Sequence, residues 1–446
     1  MALSGLDIYR LLPKTNCREC GFATCLVFAM QLAKKAVSID KCPSLSKESR
    51  AALEASAQPP IKLVTLGIGE AKFEAGNESV MFRHEEKFHR PCGIGFIIED
   101  SLSNVLIKDK IIKINKLKFE RIGQKLEVNL VAIKQKESAK RFTEVVKLVA
   151  DNTSLALVLM SDDLTGLKQA LDITANRKPL IYHATKENLP QIAELAKDYN
   201  AALVATGEDL DAVSGLTVEL NNLGISELIL ETGDKPIAEK IWDLTQMRRL
   251  ALKKNNRSLG YPSLVVINQA DPFEEAQEAA SYIAKYAGIV LIKGVEPFEI
   301  LPLVTLRQNI YSDPQKPLQI EPKLYPIGQV NDKSPVLVTT NFSLTYYTVL
   351  GEVEASKIPS YIVSVDTEGM SVLTAWAAEK FTPHKITESI NKLGVKDAVK
   401  HKRLIIPGYV AVISGELEDE SGFEIIVGPK EAAGIPSFLK NLPINT

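Results

Sequence analysis

The fold is decided by residues 187–205, "ENLPQIAELAKDYNAALVA". Up to Asn200 the apolar residues recur at helical spacing, and asparagine is a residue that ends helices. The run "AALVA" at 201–205 is strand-sized and too apolar for a sheet with one face in water. A helix that leads directly into a fully buried strand is one unit of an alternating α/β chain. The alternation continues outward on both sides. Candidate strands are "GIGFII" (93–98), "EVNLVAI" (127–133), "SLALVLM" (154–160), "PLIYH" (179–183), "AALVA" (201–205), "SELIL" (226–230), "SLVVI" (263–267) and "GIVLI" (288–292). Helix-sized segments such as "PFEEAQEAASYIAKYAG" (272–288) separate most of them. Eight buried strands, each followed by a helix, predict a central (β/α)8 TIM barrel over residues 93–322.

Upstream of the barrel, "NCRECGFATCLVFAM" and "DKCPSLS" place Cys17, Cys20, Cys25 and Cys42 within 26 positions, out of five cysteines in 446 residues. Three close ligands and one distant one suit a cubane iron-sulfur cluster: a tight loop wraps three iron corners, and a following helix carries the chain to the fourth. Gly21 lets the loop approach the cluster, Pro43 stops the chain after the last ligand, and "LVFAMQLAKKAVS" has the spacing of the connecting helix. Zinc and plain disulfides are the alternatives; zinc usually takes two close cysteine pairs or histidine partners, and no histidine precedes His84. The expected organisation is a 4Fe-4S cluster domain at 1–57, with "SAQPP" at 56–60 as its exit, and a linker at 58–92. Cys92, with no cysteine neighbour, reads as a buried apolar residue at a strand start.

Downstream, "SDPQKPLQIEPKLYPIG" (312–328) holds four prolines in 17 residues and reads as a crossing linker into a last domain, 323–446. There "PVLVTT", "SYIVSV", "RLIIPG" and "FEIIVG" alternate with helical stretches, which predicts a small open parallel α/β sheet. Ligands bind such sheets outside the carboxyl ends of the strands. The candidate residues are therefore Thr339, Thr340, Asn341 and Ser343 in the first such loop, and Gly369, Met370, Ser371, Val372, Leu373 and Thr374 in the second. The third loop offers Pro407, Gly408 and Tyr409, and the fourth Gly428, Pro429, Ala432, Ala433 and Gly434. Small polar residues at strand ends are also ordinary turn chemistry. No Walker loop or complete G-x-G-x-x-G follows a strand, so nucleotides are not the obvious ligand.

Composition narrows the class further. The 53 basic and 55 acidic residues are well mixed, which leaves no basic face for nucleic acid or an anionic membrane. Asp7 and Arg10 interrupt the N-terminal apolar stretch where a signal peptide needs none, and no run is long enough to span a bilayer. A cytoplasmic, non-membrane protein is expected.

The pattern "CRECGFATC…CP", together with "TTNFSLTYY", "TEGMSVLTAWAA", "IPGYVAVISGELE" and "VGPKEAAGIP", closely resembles the large (gamma) subunits of corrinoid iron-sulfur proteins of the acetyl-CoA synthase/carbon monoxide dehydrogenase (Wood-Ljungdahl) pathway. The resemblance covers essentially the whole chain. It implies a methyl carrier rather than a stand-alone enzyme. Its cobamide, as Co(I), accepts a methyl group from methyltetrahydrofolate through a partner methyltransferase and passes it to the nickel cluster of acetyl-CoA synthase. It also implies a 4Fe-4S cluster on the four cysteines that reductively reactivates Co(II), and a corrinoid held by the loops of residues 339–434. A heterodimer with a small subunit is implied as well. The other readings are an iron-sulfur electron-transfer subunit and a pterin-dependent methyltransferase.

Two points concern individual side chains. None of the five histidines has an aspartate two positions earlier, as a D-x-H-x-x-G cobalt-binding motif requires, so the cobamide is expected base-off without a protein imidazole. The residue below cobalt should then be small and non-coordinating, and Thr374 is the candidate. In the barrel, "SDDL" (161–164), "ATGED" (205–209), "ETGD" (231–234) and "NQAD" (268–271) are polar enough for a vestigial pterin site, but read better as helix N-caps.

Overall fold

A computed structural model of the chain describes residues 5–33, 36–46, 48–50, 53 and 59–442. The chain divides into two compact units, Met1–Phe119 with Leu126–Tyr311, and Glu120–Lys125 with Ser312–Thr446.

In the first unit the strands are β1 (Val64–Leu66), β2 (Phe73–Ala75), β3 (Gly93–Glu99), β4 (Lys118–Arg121), β5 (Gln124–Glu127), β6 (Leu130–Lys134), β7 (Ala156–Met160), β8 (Leu180–Ala184), β9 (Ala202–Thr206), β10 (Leu228–Glu231), β11 (Leu264–Val266) and β12 (Ile289–Ile292). The tip of the β4–β5 hairpin belongs to the second unit. All eight expected barrel strands form, pairing in parallel in the order β10, β9, β8, β7, β6, β3, β12, β11. A parallel bridge between Leu230 and Ser263, with Leu230 N donating to Pro262 O at 2.8 Å, joins the two ends. Alternate residues point in and out. The inner set includes Leu130, Val158, Leu180, Val204, Ile229 and Leu291, while Ile94, Phe96, Val131, Leu157 and Leu203 face the helical ring.

The expected linker at 58–92 is structured instead. Antiparallel β1 and β2 insert Val64, Leu66, Phe73 and Ala75 among the inner residues of the barrel and close its floor. Gly93 leaves room for this plug, since a Cβ there would lie 2.6 Å from the Phe73 ring. The rest of the segment is tied down by Glu78, which accepts from His89 N (2.8 Å), Arg90 N (3.0 Å) and Arg248 Nη2 (2.9 Å). Arg248 lies between the rings of Phe88 and Tyr286, 4.5 and 4.7 Å from their centroids. The charged residues His84, Glu85, Glu86 and Lys87 are exposed, but Glu78 and its partner Arg248 are buried and anchor the segment. The "SAQPP" exit falls on 56–60, of which 56–58 lie outside the described residues. Cys92 is buried at a strand start, as expected. No helix among the described residues is long and apolar enough to cross a membrane.

The second unit adds β13 (Leu324–Ile327), β14 (Val336–Thr340), β15 (Ser360–Val365), β16 (Arg403–Ile406) and β17 (Glu424–Val427), in the order β13, β15, β14, β16, β17. All pair in parallel except β13. The sheet is therefore mixed rather than wholly parallel, and β13 comes from the proline-rich segment read as a linker. Pro326 is tolerated because β13 is an edge strand. Helices Pro383–Lys392 and Ser414–Ser421 cover one face through Ile386, Ile390 and Leu417. Helices Ser343–Ser356 and Ile435–Lys440 cover the other through Tyr346, Val353, Ile435 and Leu439.

Arg248→Ala leaves the Glu78 carboxylate buried without its cation and should destabilise the protein by about 4 kcal/mol. Urea unfolding checks the magnitude, and limited proteolysis should open a new cleavage site within residues 76–92.

Candidate functional site

The cysteine module is built around a short loop with an unusual backbone. Lys14, Asn16, Arg18 and Gly21 all have positive φ (58°, 51°, 66° and 84°), which curls residues 14–21 back toward the helix Cys25–Ala33. Asn16 locks the curl. Its Oδ1 accepts from Cys25 N at 2.8 Å, and its own N–H donates to Cys25 Sγ at 3.4 Å. Cys42 follows the 3-10 turn Ile39–Lys41 and returns to the same small core, beside Ile8, Leu12, Phe28 and Ala29. Cys17 is exposed, Cys20 half-buried, Cys25 and Cys42 buried, and none forms a disulfide. Burial pushes the Cys42 thiol up, and charge on Cys20, Cys25 and Cys17 adds to the push. As thiolates the four would repel one another, since charge on the other three already acts on Cys42. Among the described residues no three Cys, His, Asp or Glu side chains are grouped to hold a single metal ion. A cubane spreads its four thiolates over four irons, and the donor set fits that group.

The second site lies where strand order reverses. From β14 the chain crosses first to β15 on one side and then to β16 on the other, so the loops after β14 and β16 diverge. A cleft of about 240 Å³ opens there, walled by Leu337, Val338 and Thr339 of β14, by Ile405, Ile406, Pro407 and Tyr409 after β16, and by Gly428, Pro429, Lys430 and Ala432 after β17. Leu344, Thr345, Thr348 and Val349 of the following helix line the other side, with Val372 and Ile435. Seven of the residues proposed from sequence meet here: Thr339, Val372, Pro407, Tyr409, Gly428, Pro429 and Ala432. The helix residues were missed, although 344/348 and 345/349 repeat at four-residue spacing and mark one helical face.

Thr339 carries the strongest chemical signal. Its side chain is 1% exposed, it lines the cleft, and its hydroxyl has no partner. A buried hydroxyl without a partner costs about 1–3 kcal/mol, so it marks a place where a ligand supplies the missing hydrogen bond. The Thr340 hydroxyl on the same strand is also unpartnered and buried. Gly408 and Gly428 bring two loops into backbone contact. Gly408 N donates to Pro429 O at 3.1 Å, and a Cβ on Gly408 would lie 2.5 Å from Gly428 O. Tyr409 donates to Glu431 across the same loops.

The remaining proposed residues do not line the cleft. Asn341 is fully buried and Ser343 nearly so, Gly369 and Met370 lie in the loop that Asn341 braces, and Leu373 and Thr374 are exposed on the helix Val372–Ala377. Thr374 Oγ1 lies 3.0 Å from Ser371 Oγ. Ala433 and Gly434 form the 3-10 turn Ala432–Gly434. Of the histidines in this unit, His384 is exposed near Glu420, and His401 Nε2 lies 2.9 Å from Ser334 O at the amino end of the sheet. Of the four barrel stretches read as N-caps, three behave so, Asp163, Asp209 and Asp271 each accepting backbone N–H bonds, whereas "ETGD" does not, because the next helix starts after Pro236 without a side-chain cap.

Fold and site together define a modular binding protein, with a four-thiol module, a filled barrel and an open α/β unit that has a cleft at its switch point. The family described as "CO dehydrogenase/acetyl-CoA synthase delta subunit" matches residues 63–439, and the family "Putative Fe-S cluster" matches residues 12–44. The corrinoid/iron-sulfur protein large subunit of Moorella thermoacetica is 46% identical over 441 residues, covering 99% of both chains. The acetyl-CoA decarbonylase/synthase complex subunit gamma of Methanothermobacter thermautotrophicus is 35% identical over 99% of both. A solved dihydropteroate synthase from Thermus thermophilus aligns with 55% of this chain and 100% of that chain at 11% identity and a TM-score of 0.39. The chain belongs to the family of corrinoid/iron-sulfur protein large subunits and their archaeal gamma-subunit counterparts.

Thr339→Val keeps the shape of the side chain and removes the unpartnered hydroxyl. In protein free of any ligand it should raise stability by about 1 kcal/mol in urea unfolding.

Proposed function

We propose that this chain is a methyl carrier that holds a corrinoid at the carboxyl edge of the β14–β16 sheet and a 4Fe-4S cluster on Cys17, Cys20, Cys25 and Cys42. The observation that carries the reading is the switch-point cleft with the orphaned Thr339 hydroxyl, in the same chain as a four-thiol module. When bound, the corrinoid supplies a cobalt that takes up and releases a methyl group, and the cluster supplies single electrons at low potential.

The residues divide that work. The cleft offers apolar walls and a few hydroxyls, Thr339, Thr345 and Thr348, which suits the apolar faces and hydrogen-bonding arms of a corrinoid. Around it Leu344, Leu373, Trp376 and Tyr409 stay exposed, leaving an apolar rim for the macrocycle and for a small-subunit partner. No histidine lines the cleft, so a cobamide held there would have no imidazole from its lining residues. Thr374, the residue expected below cobalt, is exposed two positions past Val372 of the cleft lining, and its hydroxyl, 3.0 Å from that of Ser371, would be a weak metal donor. By this reading the partners are the small subunit, a methyltetrahydrofolate methyltransferase and acetyl-CoA synthase/carbon monoxide dehydrogenase.

Metal analysis and an anaerobic absorption spectrum of the chain purified with its small subunit test the proposal. About one corrinoid cobalt and about four irons per heterodimer are expected, and Cys42→Ser should lower iron and acid-labile sulfide while leaving cobalt in place. Iron without cobalt would overturn the carrier reading in favour of an electron-transfer subunit, and tight binding of methyltetrahydrofolate to the chain alone would favour a methyltransferase. Thr339→Val, stabilising without ligand, should speed corrinoid loss on dilution about fivefold, the equivalent of about 1 kcal/mol.

A further inference from the structure

One turn of the chain is held against its local preference. β4 and β5 pair as a two-stranded sheet, and the two residues between them, Ile122 and Gly123, are both left-handed, at φ 56° and 66°. A two-residue hairpin turn of this hand normally takes Asn, Asp or Gly followed by Gly, and a β-branched residue there is strained. The tip Glu120–Lys125 belongs to the second unit. Ile122 packs there against the same apolar core as Val349 and Leu350 of the helix Ser343–Ser356. Gly123 lies beside that helix too: a Cβ on it would be 3.9 Å from the Tyr347 hydroxyl. Tyr347 leads back inward through Tyr346 and Tyr325, with ring centroids 5.2 and then 4.9 Å apart. The helix needs such support. It has no side-chain N-cap, carries Gly351 in its interior, and is β-branched at Thr345, Thr348, Val349 and Val353. A sequence of this kind is helical through packing rather than propensity. The core it packs on is also the floor of the switch-point cleft, since Leu337, Val349, Ile405, Ala432 and Ile435 belong to both.

We propose that the hairpin tip is a clasp and Ile122 its positioning residue, which holds the helix Ser343–Ser356 so that Leu344, Thr345, Thr348 and Val349 keep their place along the cleft. A turn that served only to reverse the chain would not retain a strained isoleucine. A helix freed from the tip opens more often, and a ligand seated beside it can leave at each opening. The clasp stands whatever the cleft binds; its effect on a corrinoid rests on the carrier reading above.

The test uses the full chain with its small subunit. Hydrogen exchange without corrinoid reads the helix, and loss of hydroxocobalamin after dilution, followed by absorption, reads the cleft. Ile122→Asn suits the turn and removes the apolar anchor. Exchange across 343–356 should then rise about tenfold, and hydroxocobalamin should leave about fivefold faster. Exchange across the helix Pro383–Lys392, on the opposite face of the sheet, should stay at the parent rate. Ile122→Leu keeps the anchor without the β-branch and should hold both readouts within about twofold of the parent. A merely structural role predicts faster exchange over the whole unit, 383–392 included, and that outcome overturns the proposal. So does unchanged exchange across 343–356 in I122N, or I122L behaving as I122N. If I122N does not accumulate as folded protein, Ile122→Ala decides: acceleration confined to 343–356 supports the clasp and none overturns it. Faster exchange with unchanged hydroxocobalamin loss breaks the link to the cleft and overturns the proposal as well. Parent protein that takes up no hydroxocobalamin overturns the carrier reading itself, and hydrogen exchange alone then decides the clasp.

Discussion

Parallel strands can be connected only by crossovers, and the crossing helices must cover the sheet, so every strand delivers its carboxyl end to one edge. The eight barrel strands and β14 to β17 obey this constraint and end differently. In the barrel the edge closes into a ring through Leu230 and Ser263, and the interior is packed from below by Phe73, Leu66 and Val64. Its carboxyl ends then serve mainly to start helices, as the capping aspartates show. In the smaller unit the sheet stays open, and the chain goes from β14 to β15 on one side and then to β16 on the other. Divergence at that point opens a cleft that no single loop could make.

Buried polar groups sort architecture from site. Arg307 donates to Cys92 O, Asn129 Oδ1 and Glu127 O, Arg248 is paired with Glu78, and Asn341 uses its whole amide. Satisfied groups like these hold strands and loops in place, because a desolvated partner left alone costs more than the bond contributes. Thr339 is one of several buried side chains with an unpartnered polar atom among the described residues, and it lines the switch-point cleft. The same accounting explains why Asn341 and Thr339, two positions apart on one strand end, do different work. One is turned into the protein and the other into the cleft.

The cysteine module follows another logic. Its core is a handful of side chains, and two of them are the cysteines Cys25 and Cys42. So small a core gives little hydrophobic stabilisation, and the Cys42 thiol is raised first by its burial there, with charge on the neighbouring cysteines adding to the push. A cationic metal centre held by these cysteines would offset repulsion among their thiolates and couple its binding to the folding of the module.

Much of this could be read along the chain. Period and apolarity determined the eight barrel strands, because a strand buried on both faces has to be apolar throughout, whatever its neighbours. Cysteine spacing determined the module, because ligand spacing is a local property. The strand-end loops were legible for the same reason, since turn chemistry is local. What the sequence left undecided depended on partners distant in the chain. Residues 58–92 looked like a polar linker because the arginine that neutralises Glu78 lies 170 positions away. The proline-rich 312–328 hid β13, whose edge position follows from the order of the other strands. Asn341 and Thr339 looked equivalent on paper. Only the tertiary structure separated them, because which donors reach a buried oxygen depends on how β14, β15 and the segment around Gln319 pack, and no local signal records that.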